Sequence, residues 1–209
     1  MIEAMNFETA HFAGDALPAM FRLRYQVFIE RERYEVPSYN DMEWDQFDNP
    51  AAHYLLRRDE QGRADGVARL IPTTERYMVK ELWPDLVDGQ HLPSQPDVWE
   101  LTRVGVRPGL DATERSRVHC DVLLGFFEFG LAYGIRSYIL VTHMRIIREH
   151  FLNRGHSVKI LGEPKRLGRV PVCAARLEVS MESLLRVRSY YGVTGPALRF
   201  PGEVATLAA

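Results

Sequence analysis

An arginine on the apolar face of the first predicted helix is the feature that most constrains how this chain can fold. Apolar residues recur at steps of three and four through residues 17–34, which predicts a helix that Pro37 ends, and Arg24 lies on their face. A buried arginine is unfavourable unless an acid pairs with it. The loop predicted next, at residues 35–50, supplies candidate acids: Asp41, Glu43, Asp45 and Asp48.

This acid-rich loop has two interpretations. In the first, the loop is solvated and Arg24 extends into water. In the second, which we favour because loops this long are usually functional or disordered, aromatic residues hold Asp45 and Asp48 against the core. With Arg24 they then form a polar pocket for a ligand that carries a cationic amine and an anionic carboxylate, as an amino acid moiety does. Four interleaved residues predict that the loop packs down: Tyr39, Met42, Trp44 and Phe47.

Three more charged residues lie in strand-like segments whose other side chains are largely apolar. Arg69 is in VARLIP, and Glu100 and Arg103 are in WELTRVGV. Residues three apart on an extended strand point to opposite faces, so Glu100 and Arg103 are predicted to serve two neighbouring pockets unless a bulge intervenes. The alternative for each of the three is a structural ion pair.

The order of the predicted elements favours an α/β (α+β) sandwich, as one domain over residues 1–209. Its mixed, mostly antiparallel central sheet is expected to be flanked by helices, because strands and helices alternate only in the middle of the chain. The middle segment resembles the acyl-CoA-binding core of the GCN5-related N-acetyltransferases. Strands are predicted at 53–57, 66–72, 98–106, 137–142, 158–161 and 172–179, and the later helices at 111–134, 146–153 and 181–191.

Composition and charge exclude several classes of protein. A net charge of -2 provides no overall basic field for nucleic acid. The N-terminal sequence lacks the apolar core of a signal peptide, and Glu128 interrupts the longest apolar stretch, so we expect a cytoplasmic protein without a membrane segment. Cys120 and Cys173 match no metal spacing and are predicted to be buried thiols, with no metal site. The tail at 202–209 is expected to be disordered.

The charged positions together resemble the LuxI-type acyl-homoserine lactone synthases. The resemblance covers most of the chain and follows one order along residues 20–105. It departs at Tyr34, where the family usually has tryptophan, which leaves the shape of that part of the pocket open. The matching positions are Arg24 and Phe28 in RYQVF, Asp45 and Asp48 in WDQFD, then Arg69 and the Glu100–Arg103 element.

This resemblance implies a reaction between two substrates, without a cofactor. The amine of S-adenosylmethionine attacks an acyl thioester, and its carboxylate then closes a homoserine lactone and expels methylthioadenosine. The lactone is a quorum-sensing signal. Glu100 is the implied general base, acting through a water. The implied S-adenosylmethionine-binding residues are Arg24, Phe28, Tyr34, Asp45, Asp48, Arg69 and Arg103, with the substrate carboxylate on Arg69 or Arg103.

The acyl donor is predicted less directly. The sequence looks closest to the rhizobial branch of the family, which favours acyl-coenzyme A over acyl-carrier protein. A group of basic residues could bind an acidic carrier protein or the phosphates of coenzyme A, or could simply form a solvated charged surface. These residues are Arg107, Arg115, Arg117, Lys159, Lys165, Arg166 and Arg169. The predicted acyl pocket, which could equally be plain core, consists of Trp99, Leu101, Phe126, Phe127, Thr142, Met144 and Ile147.

Two rival functions fit the same fold. One is a GCN5-related N-acetyltransferase that acts on another amine, which would not need Asp45 and Asp48. The other is a non-catalytic small-molecule sensor, which would tolerate the loss of Glu100. The oligomeric state is left open by the sequence.

Overall fold

The computed structural model describes residues 1–89, 91–167 and 170–200. The tail predicted to be disordered, at 202–209, and Arg169 of the predicted basic group lie outside the described residues. The strands are β1 (Ile2–Met5), β2 (Ser38–Tyr39), β3 (Met42–Glu43), β4 (His53–Arg58), β5 (Ala64–Pro72), β6 (Val98–Val106), β7 (Ser137–His143), β8 (Val158–Ile160), β9 (Lys165–Leu167), β10 (Val170–Glu178) and β11 (Leu198–Arg199).

Nine of these strands form one mixed sheet within the described ranges. Its order is β11–β1–β4–β5–β6–β7–β10–β8, with β9 also paired to β10. Neighbours run antiparallel except β1 with β11 and β6 with β7, which are parallel. The predicted mixed, mostly antiparallel sheet flanked by helices is confirmed.

Within the described residues, five α-helices accompany the sheet: α1 (Ala16–Arg24), α2 (Met78–Leu82), α3 (Ala112–Ala132), α4 (Met144–Ile146) and α5 (Met181–Tyr191). A π-helical segment, Tyr25–Arg31, continues α1, and another, Ile147–Phe151, continues α4. Short 3-10 turns lie at Ala10–Ala13, Pro84–Leu86 and Leu152–Arg154. No helix in the described part of the chain is long and apolar enough to cross a membrane.

The sheet separates two hydrophobic clusters. We call the side covered by α1 and α2 the α1 face, and its cluster includes Met20, Phe47 and Met78. We call the side covered by α3 and α5 the α3 face, and its cluster includes Phe126 and Leu184. Because side chains alternate along a strand, neighbouring residues of β6 contribute to different clusters. The sheet therefore divides the molecule into two separate environments.

Helix ends in the α3 layer follow local capping chemistry. Asp111 precedes α3, and its side chain accepts hydrogen bonds from the backbone N–H groups of Thr113 and Glu114, as its position in the sequence predicts. Cys120 in α3 and Cys173 in β10 are buried free thiols, which also agrees with the prediction.

Three predictions about the N-terminal third need correction. The helix predicted at 17–34 loses its α-helical pattern after Arg24, and its π-helical continuation ends at Arg31, before Pro37. The loop predicted at 35–50 contains the β2–β3 hairpin, whose turn residues have positive φ. Not all its aromatic residues pack down. Phe47 is fully buried, whereas Tyr39 and Trp44 are 69% and 54% exposed.

Candidate active site

Three arginines and three carboxylates meet in a buried group on the α1 face. We call this group the charge network, and its formal charges cancel. Five of the six residues were predicted to bind substrate, and the sixth, Glu43, was only one of several candidate partners for Arg24. The members are Arg24, Glu43, Asp45, Asp48, Arg69 and Arg103.

Arg24 joins the first helix to the acid-rich loop. Its Nε donates to Oε2 of Glu43 at 2.6 Å, and its two Nη atoms donate to the two carboxylate oxygens of Asp48 at 2.7 and 2.9 Å. Burial alone would lower the pKa of Arg24, but the hydrogen bonds and charges of Asp48 and Glu43 raise it. Burial would raise the pKa of Asp48, but the hydrogen bond from Arg24 and the charges of Arg69 and Arg24 outweigh it and lower that pKa. Both groups are therefore held in their charged forms.

Arg69 brings the central sheet into the same network. Its Nη1 lies 2.7 Å from Oδ1 of Asp45 and 2.9 Å from Oδ1 of Asp48. Its Nε donates to Oγ1 of Thr102, its cross-strand partner on β6, and its Nη2 lies 3.0 Å from Sδ of Met78. Every nitrogen of the Arg69 guanidinium thus has a partner inside the protein.

A β-bulge places Arg103 in the network. Between β5 and β6 the register advances from Arg69↔Thr102 to Val67↔Gly105, so β6 holds one extra residue there. Arg103 has φ 50°, a conformation that is rare for residues other than glycine and costs of order 1–3 kcal/mol. The bulge turns Arg103 toward the face that holds Glu100. Glu100 and Arg103 were predicted to point to opposite faces unless a bulge intervened. The bulge is present, so the prediction of opposite faces is wrong.

Arg103 then bonds to two acids at once. Its Nη2 lies 3.0 Å from Oε1 of Glu43 and 2.7 Å from Oδ2 of Asp45. Its guanidinium also lies over the ring of Phe28, 5.4 Å from the centroid. The strain of the bulge is offset by these contacts, which complete the network.

Glu100 lies on β6 beside the network and is fully buried. Its two carboxylate oxygens accept hydrogen bonds from the backbone N–H groups of Met78 and Val79, at 3.0 and 2.8 Å, in the first turn of α2. Burial raises the pKa of Glu100 to about 7, although those two hydrogen bonds favour the ionised form. At neutral pH this carboxyl group can therefore both accept and release a proton.

Exposure divides the predicted substrate-binding residues into two sets. The side chains of Arg24, Asp48 and Arg69 have no solvent contact. Phe28, Asp45 and Arg103 retain 7–9% exposure, and Tyr34 is 43% exposed. The Tyr34 ring stacks on Phe28 with centroids 6.1 Å apart. Among the described residues, it is this second set that links the network to solvent and to a ligand.

The predicted acyl-pocket residues lie on the other side of the sheet. Trp99 and Leu101 flank Glu100 on β6 and point to the α3 face, where Phe126 and Phe127 of α3 and Ile147 belong to the same cluster. Met144 packs against that cluster, and Thr142 pairs in register with Cys173 of that cluster. The structure thus groups these residues, and their role as an acyl pocket stays a prediction.

The two parallel strands next to Glu100 diverge. β6 pairs with β7 only at Val98–Glu100, opposite Ser137–Ile139. Beyond that point β6 pairs only with β5, and β7 pairs with β10. The pairing between β6 and β7 therefore ends at Glu100.

The predicted basic residues do not form one group in the described structure. Arg107 pairs with Asp59 at 3.1 Å, and Arg115 and Arg117 lie on the exposed first turns of α3. Lys159 and Lys165 lie on β8 and β9, the strands paired to β10 at the far end of the sheet. Arg166 lies on β9 as well.

Sequence reasoning missed several residues of the site, among them Met78 and Thr102. Met78 donates its N–H to Glu100, and its sulfur lies 3.0 and 3.5 Å from nitrogens of Arg69 and Arg103. Thr102 bonds Arg69. Nothing in the sequence around Met78 signals this position, whereas Thr102 could have been found from its place in the Glu100–Arg103 element.

The fold and the site together define a class. A mixed sheet in which two parallel strands pair only over their first residues, with helices on both faces, is an N-acetyltransferase-like fold. In agreement, a protein of Lactobacillus plantarum described as an N-acetyltransferase superposes with a TM-score of 0.55 over 86% of this chain and 99% of its own, at 16% identity. That likeness concerns the fold alone.

More specific matches give the family. The family model described as autoinducer synthase matches residues 10–187, so the chain belongs to the autoinducer synthase family. The acyl-homoserine-lactone synthase of Pseudomonas aeruginosa is 30% identical over 193 residues, 89% of this chain and 92% of that protein. The CoA-dependent acyl-homoserine lactone synthase BjaI, with SAM and isopentyl-CoA, superposes with a TM-score of 0.87 at 26% identity, over 98% of this chain and 94% of BjaI. The predicted enzyme class, an acyl-homoserine lactone synthase, is confirmed.

Proposed function

We propose that this synthase, acting as a single domain without a cofactor, transfers the acyl group of an acyl-coenzyme A to the amine of S-adenosylmethionine. The substrate carboxylate then attacks its own γ-carbon, which closes the lactone and releases methylthioadenosine. One observation carries the proposal: Glu100, a buried carboxyl group with a pKa near 7, lies on the same face as the charge network and at the point where β6 and β7 part.

Glu100 is suited to the amine step. The substrate ammonium must lose a proton before its nitrogen can attack a thioester carbon, and a base is most effective when its pKa lies near the working pH. Since both Glu100 oxygens are bonded to Met78 and Val79, we propose that the proton reaches Glu100 through one bridging water. The backbone of α2 would hold the carboxylate in place while it changes charge.

The exposed side of the charge network would bind the amino-acid substrate. Asp45 is the acid that a cationic ammonium or sulfonium can reach, and the stacked rings of Phe28 and Tyr34 offer flat faces to the adenosyl group. A cation over an aromatic ring is stabilised by roughly 0.5–2 kcal/mol. Arg24, Asp48 and Arg69, which no ligand can touch, would act as positioning residues that fix Asp45 and Arg103.

The acyl donor would approach from the α3 face. The structural likeness to BjaI, a CoA-dependent synthase with isopentyl-CoA, supports acyl-coenzyme A over a carrier protein. The thioester carbonyl would lie between the diverging strands, where backbone N–H groups of β6 near Leu101 have no β7 partner and could stabilise the oxyanion. The acyl chain would then enter the apolar cluster around Phe126 and Met144. Because both substrates are cytoplasmic metabolites, we place the reaction in the cytoplasm.

A donor panel tests this proposal. Purified protein is mixed with S-adenosylmethionine and a series of acyl-coenzyme A and acyl-carrier-protein thioesters, and methylthioadenosine is measured by mass spectrometry. We expect methylthioadenosine with acyl-coenzyme A and much less with carrier-protein donors of the same chain. A preference for the carrier protein would overturn the donor assignment, and no product with any donor, from folded protein, would overturn the synthase reaction.

A further inference from the structure

Four residues on four neighbouring strands lie in one row across the sheet. Glu100 of β6 is in register with Ile139 of β7, Ile139 with Arg176 of β10, and Arg176 with Lys159 of β8. Residues paired in register point to the same face of a sheet. Arg176 therefore points to the side that holds Glu100.

The packing of neighbouring residues agrees with this orientation. Val172 and Ala174, which alternate with the α3-face residues of β10, belong to the cluster on the α1 face, as does Ile139. Arg176 continues their series. Two strand spacings separate it from Glu100, which is about 10 Å between backbones.

Arg176 differs from the three network arginines because it lacks an acidic partner. Its Nε is buried without a hydrogen bond, and in residues 1–89, 91–167 and 170–200 no carboxylate lies within ion-pair distance of its guanidinium. Its cross-strand neighbour, Lys159, carries the same charge, and like charges directly opposite each other are destabilising. Arg176 is half-buried with its Nε out of contact with water, and a positive group that the fold leaves there without an acidic partner indicates that an anion completes the site.

Tyr77 connects this arginine electrostatically to the site. Burial raises the pKa of the Tyr77 phenol, the charge of Glu100 raises it further, and the charge of Arg176 opposes that increase. Tyr77 is itself buried in the cluster on the α1 face, directly before Met78. Glu100 and Arg176 thus both act on one side chain that lies over the sheet.

We infer that Arg176 binds the α-carboxylate of the amino-acid substrate, an inference that rests on the proposed function. Arg69 and Arg103, to which the family resemblance assigns that carboxylate, are already neutralised by Asp45, Asp48 and Glu43. Glu100 and Arg176 lie on one face, two strand spacings or about 10 Å apart between backbones, which is the scale of an amino-acid moiety with one bridging water. The reacting amine would then lie over β7, where β6 diverges.

A substrate without the carboxylate tests this assignment. Decarboxylated S-adenosylmethionine keeps the amine, so its acylation can be followed by thiol release from acyl-coenzyme A. In the Arg176→Gln variant we expect KM for S-adenosylmethionine to rise about 10- to 100-fold, because a charge-assisted hydrogen bond is lost. KM for the decarboxylated substrate should stay within twofold of the original value, and Arg176→Lys should recover part of the loss.

Two controls separate binding from folding. Arg63→Gln removes one positive charge from an exposed turn, and it should change neither KM for S-adenosylmethionine nor KM for the decarboxylated substrate. Thermal unfolding of Arg176→Gln should show an unchanged or higher Tm, because an unpaired arginine opposite Lys159 is removed; a purely structural arginine would give a lower Tm instead.

Each remaining outcome has one meaning. If KM for both adenosyl substrates rises equally, Arg176 does not recognise the carboxylate. If KM rises for acyl-coenzyme A alone, the anion it binds is a phosphate of the donor, and the inference is wrong. Wild-type protein that makes no methylthioadenosine would overturn the proposed function itself, independently of any Arg176 variant.

Discussion

The two faces of the sheet are stabilised by different physics. On the α1 face, three arginines and three acids are buried and bonded to one another, and each fixes the position of the next. On the α3 face, aromatic and aliphatic side chains fill the space between α3 and the strands, and most of their contacts are apolar. A network of hydrogen-bonded charges fixes the position of each of its members. The stabilisation from apolar packing is instead roughly proportional to the area buried, so an apolar region tolerates substitutions that keep its volume.

This difference matches the needs of the two proposed substrates. The amine donor is the same molecule in every turnover, so a rigid, charged site suits it. Acyl chains differ between signals mainly in length and branching, so an apolar region that can be altered one side chain at a time suits them. The comparison predicts that substitutions on the α1 face abolish the reaction, and that substitutions on the α3 face change its selectivity.

The largest effect is expected from Glu100→Gln, at the border between the faces. The amide keeps the shape of the side chain but cannot accept the proton, so kcat should fall roughly 100- to 10,000-fold. KM for S-adenosylmethionine should change little, as measured by steady-state methylthioadenosine release. Equal changes in kcat and KM would make Glu100 a binding residue.

The wild-type pH profile provides the control for Glu100. A base works only when it is deprotonated, so kcat should rise with pH through the pKa of about 7 and level off above it. The residual activity of Glu100→Gln should lack that rise. A rise that persists in the variant would assign it to another group.

A smaller but still large effect is expected from Asp48→Asn, within the charge network. The substitution leaves Arg24 and Arg69 with one carboxylate too few in a buried site, which should lower the free energy of unfolding by about 3–5 kcal/mol. Chemical denaturation measures this loss. Asp15→Asn, which removes an exposed partner of Arg58, should cost less than about 0.5 kcal/mol. Similar losses in both variants would contradict the difference between buried and exposed pairs.

The smallest effect is expected from Met144→Trp, on the α3 face. Met144 is half-buried, with its Sδ 3.0 Å from Sγ of Cys173, and a larger side chain there should shorten the space for an acyl chain. The ratio of kcat/KM for long over short acyl-coenzyme A substrates should fall about tenfold. KM for S-adenosylmethionine should stay the same. In the control variant Leu152→Trp, at an exposed position, both this KM and the ratio of kcat/KM values should stay the same. A shift in KM for S-adenosylmethionine would show that the faces are not independent.

Strong local signals made parts of the fold predictable. The helix predicted at 181–191 has those bounds in the structure, because Ser180 accepts a hydrogen bond at its start and Gly192, with φ 68°, ends it. In contrast, β1 and β11 have four and two residues, too few for an alternating pattern to be recognised. They are defined by their pairing with each other and with β4, which is a tertiary property.

The residues of the candidate site were easier to predict from the sequence than the way in which they pair. Charged residues in apolar surroundings identified Arg24, Arg69 and Glu100, since burial of such residues demands a partner. Which acid pairs with which arginine depends on how the loop folds back, so Glu43 was not singled out. The orientation of Arg103 depends on a bulge that contains no glycine to signal it.

That bulge also determines how related sequences must be aligned. Deleting Val104 would restore the regular alternation of β6 and send Arg103 to the α3 face. An arginine would then enter an apolar cluster without a partner, and the charge network would be left with a net negative charge. The length of this short segment is therefore under a constraint as strict as the identity of its residues, and a gap placed there in an alignment indicates a misaligned strand or a chain that no longer carries out this chemistry.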